Sequence, residues 1–156
     1  IPIHVNRIDT IKKDLLNLGL NVHLDEPKKN ISKDTDIYLV NTYGKTKTFY
    51  SNCKNVFVGG SIINHGGQNP LEATRFGCNI LHGKNVSNFQ EIYKFLSDNN
   101  ISQSVNSISD FIKKLDKLFL MKKITTNTIK NKINLIGSKV LSSTYKEINL
   151  FLKNDF

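Results

Sequence analysis

The chain has 156 residues and a mass of 17.7 kDa, and 38% of its residues are hydrophobic, a combination typical of one globular domain. It carries 22 lysines and arginines against 13 aspartates and glutamates, a net charge of +9. No apolar run approaches the ~20 residues of a membrane-spanning helix, and the first residues lack the pattern of a signal peptide. These features exclude a disordered chain and a spanning helix.

The positive charge is a weak indicator of a nucleic-acid partner. Lysine accounts for 20 of the 22 basic residues, and the chain also contains 20 asparagines and 18 isoleucines, a trio that an AT-rich genome favours. Base recognition favours arginine, whose planar fork matches base edges, and the two arginines are Arg7 and Arg75. We therefore interpret most of the charge as a solvated surface, with weak attraction to anionic lipid headgroups left open.

Short apolar strands alternate with helical patterns along the chain. In the first half we predict a strand end at Ile1 to His4, a helix over Ile8 to Leu18, a strand at Leu20 to Leu24, a loop over 25–36, a strand at Ile37 to Val40 and a helix over Thr42 to Tyr50. In the second half we predict a strand at Asn55 to Val58, a helix over Pro70 to Phe76, a strand at Asn79 to Leu81, a helix over Asn88 to Leu96, an edge strand at Ile101 to Val105 and helices after Ser107. Because parallel strands need crossover helices, the alternation predicts a doubly wound, Rossmann-like α/β fold with a parallel sheet.

The most informative segment is VFVGGSIINHGGQNPLEATRFG, from Val56 to Gly77. Two glycine pairs lie between a predicted strand and a predicted helix, and glycine lets the backbone approach a ligand closely. Asn69 suits the N-cap of that helix, Pro70 its first position, and Glu72 the third position of a capping box. Glu72 has two interpretations: it closes the capping box, or its carboxylate accepts hydrogen bonds from the ribose hydroxyls of a nucleotide.

Several ordered motifs resemble one family. VFVGGS, GGQNPLE and SNFQEI, together with NTYG at Asn41 to Gly44 and PIHVNR at Pro2 to Arg7, are similar to the C-terminal half of 3-deoxy-D-manno-octulosonic acid (Kdo) transferases. The resemblance implies a glycosyltransferase of the two-domain GT-B type. Its C-terminal domain would bind the donor, CMP-Kdo, and its N-terminal domain the lipid A precursor that accepts the sugar.

The resemblance also implies the residues that contact the donor. They are Pro2, Ile3, Tyr43, Gly44, Lys45, Asn69, Pro70, Leu71 and Glu72. Two of these depart from the family pattern, since Ile3 stands where arginine is usual and Lys45 where glutamate is usual. We expect Lys45 to replace part of the missing positive charge near the donor phosphate, although lysine lacks the bidentate fork of arginine. We expect no metal and no cofactor.

Taken over the whole chain, the resemblance implies that residues 1–156 form the CMP-Kdo-binding domain, with C-terminal helices from about residue 107. We expect the N-terminal acceptor domain, and with it the family's catalytic carboxylate, to lie outside these residues, and we therefore expect this chain alone to be inactive. The implied reaction takes place at the cytoplasmic face of the bacterial inner membrane, in lipopolysaccharide biosynthesis, with no nucleic-acid partner. Two alternatives stay open: a basic nucleic-acid-binding α/β module, and another nucleotide-sugar enzyme of the same fold.

Other chemically suggestive residues have simpler interpretations. Asp34 and Asp36 form a DxD pattern that is typical of metal-nucleotide sites, but they precede a strand and so fall at the wrong edge of a parallel sheet. Ser61 follows a glycine pair without the GxSxG spacing of a hydrolase nucleophile. The histidines lack metal-ligand spacing. We predict that Cys53 and Cys78 are buried apolar residues.

Overall fold

The computed structural model describes residues 1–2, 4–26, 29–120 and 126–154 of the chain. They form two compact units, Ile1–Phe49 and Tyr50–Phe156. The first unit contains a two-stranded parallel sheet and the second a three-stranded parallel sheet. The predicted α/β class with parallel strands is confirmed, and the prediction of one nucleotide-sugar-binding domain stays a prediction.

In the first unit a helix packs beside two short strands. The elements are α1 (Ile8–Asn17), β1 (Val22–Leu24), β2 (Ile37–Leu39) and the start of α2 (Thr46–Asn52). Val22 pairs with Ile37 and Leu24 with Leu39, so both strands run in the same direction. Gly19, with a φ of +78°, follows α1 in a conformation that favours glycine.

Two predictions for the first unit are wrong in detail. Ile1, Pro2 and His4 form no strand, and a 3-10 turn over Val5–Arg7 follows them, closed by the Arg7 amide donating to the His4 carbonyl at 3.1 Å. Ile3 lies outside the described residues. Helix α2 begins at Thr46 rather than at residue 42, because Gly44 has a φ of +84°, which a right-handed helix cannot accommodate.

In the second unit the elements alternate as predicted. They are β3 (Asn55–Val58), α3 (Leu71–Arg75), β4 (Asn79–His82), a 3-10 turn (Ser87–Phe89), α4 (Gln90–Asp98), β5 (Ser102–Ser104), α5 (Ile108–Leu120) and α6 (Thr126–Asn154). The strand order is β3-β4-β5, so β5 lies at an edge of this sheet as expected. The carboxyl ends of the three strands therefore lie at one edge, where ligands bind in open α/β sheets.

The core of the second unit lies on both faces of β4. Side chains alternate along a strand, and the buried neighbours Ile80 and Leu81 accordingly enter different clusters. One cluster joins Ile80 to Val58, Ala73, Cys78 and Tyr93, and the other joins Leu81 to Val105 and Leu118. Covering on both faces is what a parallel sheet requires, and it agrees with the doubly wound interpretation.

The long helix α6 is packed only in part. Ile133 is buried with Leu96 and Ile101, whereas Leu141, Tyr145 and Phe151 further along are each about two-thirds exposed. Helical structure beyond Ser107 is confirmed for the described residues. None of the described helices combines the length and apolar composition that crossing a membrane requires.

The two cysteines differ. Cys78 is buried as predicted, and its thiol donates to the backbone carbonyls of Tyr50 and Cys53 at 3.3 and 3.1 Å. Burial raises the pKa of Cys78 to about 11, so this thiol stays protonated and unreactive at neutral pH. Cys53 is exposed, and the prediction that it is buried was wrong, because it lies in the turn after α2 rather than within an element.

Two glycines of the second unit provide a matched test of this packing. A Cβ at Gly83 would collide with the Ser61 carbonyl group, whereas a Cβ at Gly137, inside α6, meets no atom within 4 Å. We expect Gly83→Ala to lower the free energy of unfolding by about 1–3 kcal/mol through overpacking. We expect Gly137→Ala to raise it by about 0.5–1 kcal/mol, since alanine favours a helix interior. Urea unfolding measures both, and equal stability of the two variants would contradict the packing described.

Candidate functional site

A closed glycine loop follows β3 in the second unit. Gly60 has a φ of +68° and Gly67 a φ of +75°, and the Gly67 amide donates to the Gly60 carbonyl at 2.9 Å. A Cβ at Gly66 would collide with the side chain of Asn88. These positions need glycine for conformation or for space, so the two glycine pairs of the sequence fold as one compact loop at the carboxyl end of β3.

The Ser61 side chain fixes this loop to the neighbouring strand. Its hydroxyl is fully buried, donates to the Val58 carbonyl at 2.7 Å and accepts the Gly83 amide at 2.8 Å. The Ser61 carbonyl also accepts the Asn85 amide at 2.9 Å. A hydroxyl committed to the backbone in this way is structural, which agrees with the prediction that Ser61 is not a nucleophile.

The start of α3 lies next along the chain. The Asn69 side-chain oxygen accepts the Leu71 amide at 2.9 Å, and the ring of Pro70 is fully buried with a helical backbone conformation. Asn69 thus supports the first turn through its side chain, but Pro70 is the N-cap and α3 begins at Leu71, so the predicted cap and helix start are each one residue too early. Glu72 lies in the first turn and is partly exposed. Its carboxylate is therefore in reach of solvent at the helix start.

A second contact holds the segment before the cap. The Tyr93 hydroxyl donates to the Gln68 carbonyl at 2.8 Å, and the Gln68 side chain lies against Gly60. Burial raises the pKa of Tyr93, so its hydroxyl remains a donor at all working pH values. The loop, the cap and Glu72 are therefore held by a buried hydroxyl on α4.

Among the predicted site residues of the first unit, Lys45 contacts a buried carboxylate, Asp25, that the sequence analysis missed. The Lys45 ammonium lies 2.6 Å from the Asp25 carboxylate, and the Tyr38 hydroxyl donates to the other oxygen of that carboxylate at 2.8 Å. Asp25 is only 8% exposed, whereas Tyr43 is 74% exposed. Gly44 lies in the bend that precedes α2. Lys45 is thus an ion-pair partner within this unit.

The hydrogen bonds among Asp25, Tyr38 and Lys45, here called the Asp25 cluster, shift the pKa values of Asp25 and Tyr38. Hydrogen bonds from Lys45 and then from Tyr38 hold the pKa of Asp25 below its usual value, although burial opposes this. The same bond to Asp25 raises the pKa of Tyr38. Asp25 follows β1 directly, at its carboxyl end, and that position is the signal that would have identified it in the sequence.

The remaining candidates lie apart from these residues or have structural roles. Asp36 accepts the Asn21 amide at 2.8 Å, at the amino ends of β1 and β2, which confirms that the DxD pattern lies at the opposite edge. Asn88 donates its amide to the Gly66 carbonyl at 3.0 Å and so supports the glycine loop. Pro2 is half-buried and belongs to no element. Across residues 1–2, 4–26, 29–120 and 126–154, no group of three or more potential metal ligands is present.

Comparisons with known proteins find sequences that are similar to this chain. The chain is 29% identical over 135 residues to a 3-deoxy-D-manno-octulosonic acid transferase of Haemophilus influenzae, an alignment covering 84% of this chain and 31% of that protein. It is 26% identical to the enzyme of the same name from Aquifex aeolicus, over 79% of this chain and 33% of that protein. The chain therefore spans about a third of the length of these curated relatives. No family model matches the chain.

A solved structure has the same fold. The C-terminal CMP-Kdo binding domain of WaaA from Acinetobacter baumannii superposes with a TM-score of 0.76 at 23% identity, over 87% of this chain and 70% of that one. At this identity the likeness establishes the fold alone, an α/β fold with parallel strands. With the curated relatives, it confirms the predicted resemblance to Kdo transferases.

The Asp25 cluster makes a pH-dependent prediction. Because the pKa of Asp25 is lower in the folded chain than the usual 3.8, its stabilising effect is present above that value and is lost as the pH falls through the folded pKa. We expect Asp25→Asn to lower the free energy of unfolding by about 1–3 kcal/mol at pH 7, since a buried ionic hydrogen bond is removed. The deficit should shrink as the pH falls below 3.8.

Urea unfolding at pH 7 and at pH 3 measures this difference. Asp34→Asn, at an exposed aspartate of the same unit, is the matched control and should be neutral at both pH values. A deficit for Asp25→Asn that is unchanged at pH 3 would show that the ion pair with Lys45 is not its cause.

Proposed function

We propose that this chain binds CMP-Kdo and is the donor-binding half of an enzyme that transfers Kdo to a lipid A precursor. The observation that carries the proposal is its sequence similarity to Kdo transferases over 84% of the chain. The glycine loop adds physical support, because it is a rigid turn at the carboxyl end of a parallel strand, where the backbone can approach a nucleotide closely.

Glu72 is the proposed contact to the ribose. The Asn69 side chain accepts the Leu71 amide, and the buried Pro70 is the N-cap of α3. Glu72 follows in the first turn and is partly exposed. A carboxylate accepts hydrogen bonds from two vicinal hydroxyls, which is the chemistry that a ribose presents. This position therefore favours a nucleotide with both ribose hydroxyls intact. We include the preceding residue, Leu71, as a backbone contact to the donor.

The resemblance also assigns donor contacts to the first unit, and these remain part of the proposal. They are Pro2, Ile3, Tyr43, Gly44 and Lys45. Lys45 has three N–H donors, and the bond to Asp25 uses one of them. An ammonium held in place by a buried carboxylate loses little rotamer freedom when it meets a phosphate, although the neighbouring negative charge weakens the attraction.

The proposed reaction is a substitution at the anomeric carbon of Kdo. A hydroxyl oxygen of the acceptor sugar forms the new bond to that carbon while the bond to the CMP phosphate oxygen breaks, and CMP leaves with the electron pair. The hydroxyl proton goes to the catalytic carboxylate that the resemblance assigns to the acceptor domain. Residues 1–156 supply donor binding and orientation, so we expect this chain alone to bind CMP-Kdo without transferring Kdo.

The proposed setting is the cytoplasmic face of the inner membrane, where a lipid A precursor would be reached. The comparisons do not favour the alternative of a nucleic-acid-binding module. That alternative makes a distinct prediction, since polynucleotide binding would weaken steeply with salt as bound counterions are released. Selective binding of one mononucleotide at moderate salt would instead support a donor site.

Calorimetric titration of the chain with CMP tests the proposal. We expect CMP to bind more tightly than UMP or AMP, and Glu72→Ala to weaken CMP binding by about tenfold or more, because hydrogen bonds to a charged group are lost. Glu91→Ala, at an exposed glutamate in the first turn of α4, is the matched control and should bind like the natural chain. Equal binding of the three nucleotides, or equal loss in both variants, would contradict the proposed site.

Lys45 is tested separately with CMP and cytidine. If Lys45 contacts the phosphate, Lys45→Ala weakens binding of CMP several-fold and leaves binding of cytidine unchanged, since cytidine lacks the phosphate. Lys47→Ala, two residues further on an exposed position of α2, should change neither. A parallel loss of CMP and cytidine affinity in Lys45→Ala would assign Lys45 a structural role through Asp25 instead.

A further inference from the structure

An apolar cavity lies within the second unit, at the carboxyl ends of β3, β4 and β5. Its volume is about 450 Å³, within the range of small-molecule sites. Residues from β3, from the glycine loop, from the turns after β4 and β5 and from the start of α5 line it: Phe57, Ile62, Gly83, Lys84, Val105, Asn106, Ser107, Ile108 and Phe111. Three strand ends and a helix start thus enclose one space.

Side-chain contacts hold part of the cavity wall. Phe57 and Phe111 meet edge to face with ring centroids 5.5 Å apart, and Val105 belongs to the core. The Ile62 carbonyl accepts the side-chain amide of Asn85 at 2.7 Å, which holds the mouth of the cavity beside the Ser61 contact. These contacts place Phe57, Phe111 and Ile62 around one space.

The mouth combines apolar side chains with one positive charge. Ile62 is 67% exposed and Ile108 is 81% exposed, an arrangement costly to leave in water. Lys84 is the charged member of the described lining, and it makes no hydrogen bond or ion pair with another described residue. Asp110, in the first turn of α5, is paired with Lys114 at 2.8 Å.

We propose that this cavity binds a single-chain anionic amphiphile, an alkyl or acyl chain that ends in a phosphate or carboxylate. The chain would lie between Phe57, Phe111 and Ile108, and the anionic group would pair with Lys84. Apolar walls supply affinity in proportion to the area removed from water, and the ammonium at the mouth selects the charge of the headgroup. The inference does not depend on donor binding, because it concerns other side chains and another ligand.

Calorimetric titration with octyl, decyl and dodecyl phosphate, each below its micelle concentration, tests the cavity. Each added pair of methylenes should tighten binding about tenfold until the space is filled, because each buried methylene contributes a fixed increment. Inorganic phosphate should not bind, and the neutral dodecyl maltoside should bind more weakly than dodecyl phosphate. Sedimentation with phosphatidylglycerol vesicles separates a free amphiphile from a bilayer surface as the source of the chain.

Two pairs of variants provide matched controls. Ile62→Glu should weaken dodecyl phosphate binding at least tenfold, whereas Ile63→Glu should not, since Ile63 is equally exposed at 65% but does not line the cavity. Both variants add one negative charge at adjacent loop positions, so the two variants have the same net charge. Lys84→Gln should remove the preference for dodecyl phosphate over dodecyl maltoside, and Lys54→Gln, at the amino end of β3, should retain it.

Three results would overturn the proposal. The first is the absence of saturable binding by the soluble amphiphiles, including a result in which the chain binds only to vesicles. The second is an equal loss in Ile62→Glu and Ile63→Glu, which indicates adsorption to exposed apolar surface. The third is equal affinity for the charged and neutral amphiphiles, which removes the role of Lys84.

Discussion

The Ser61 hydroxyl is the contact on which the functional edge of the second unit depends. It joins the Val58 carbonyl, at the end of β3, to the Gly83 amide, at the end of β4, across 22 positions of sequence between Ser61 and Gly83. Because the hydroxyl is fully buried, loss of either bond would leave a polar backbone group unsatisfied. The Ser61 hydroxyl thus anchors the glycine loop before α3 to Gly83, which lines the apolar cavity.

The first unit also has a buried polar side chain at the end of a strand, and it is a carboxylate rather than a hydroxyl. There the Asp25 carboxylate, directly after β1, accepts bonds from Tyr38 on β2 and from Lys45 before α2. A buried carboxylate needs such partners, since its charge is unfavourable in a low-dielectric site without them. In each unit, therefore, one buried polar side chain at a strand end joins segments that carry proposed donor contacts, Lys45 in the first unit and the glycine loop in the second.

The sequence predicted the elements whose signals are local. The bounds of β3 were correct because an apolar run is followed directly by glycines, and the start of α3 was within one residue because Asn69 and Pro70 define a helix cap. The predicted strand at Ile1 to His4 was wrong. Helix α2 was predicted to begin too early, because the positive φ of Gly44 is incompatible with a right-handed helix. The contacts of Asp25 span 13 and 20 positions, and the cavity forms where the turns after three strands meet. Such long-range contacts follow from packing and leave no periodic signal in the sequence.

The second unit is proposed to present a nucleotide site at the glycine loop and the start of α3. Titration of the isotope-labelled chain with CMP, followed through the NMR shifts of the backbone amides, tests this site. We expect saturable shifts that include the amides of Gly60, Gly67, Leu71 and Glu72 and that are much smaller with AMP. Saturable CMP shifts that leave these four amides unchanged, or no shifts with CMP at all, would contradict it.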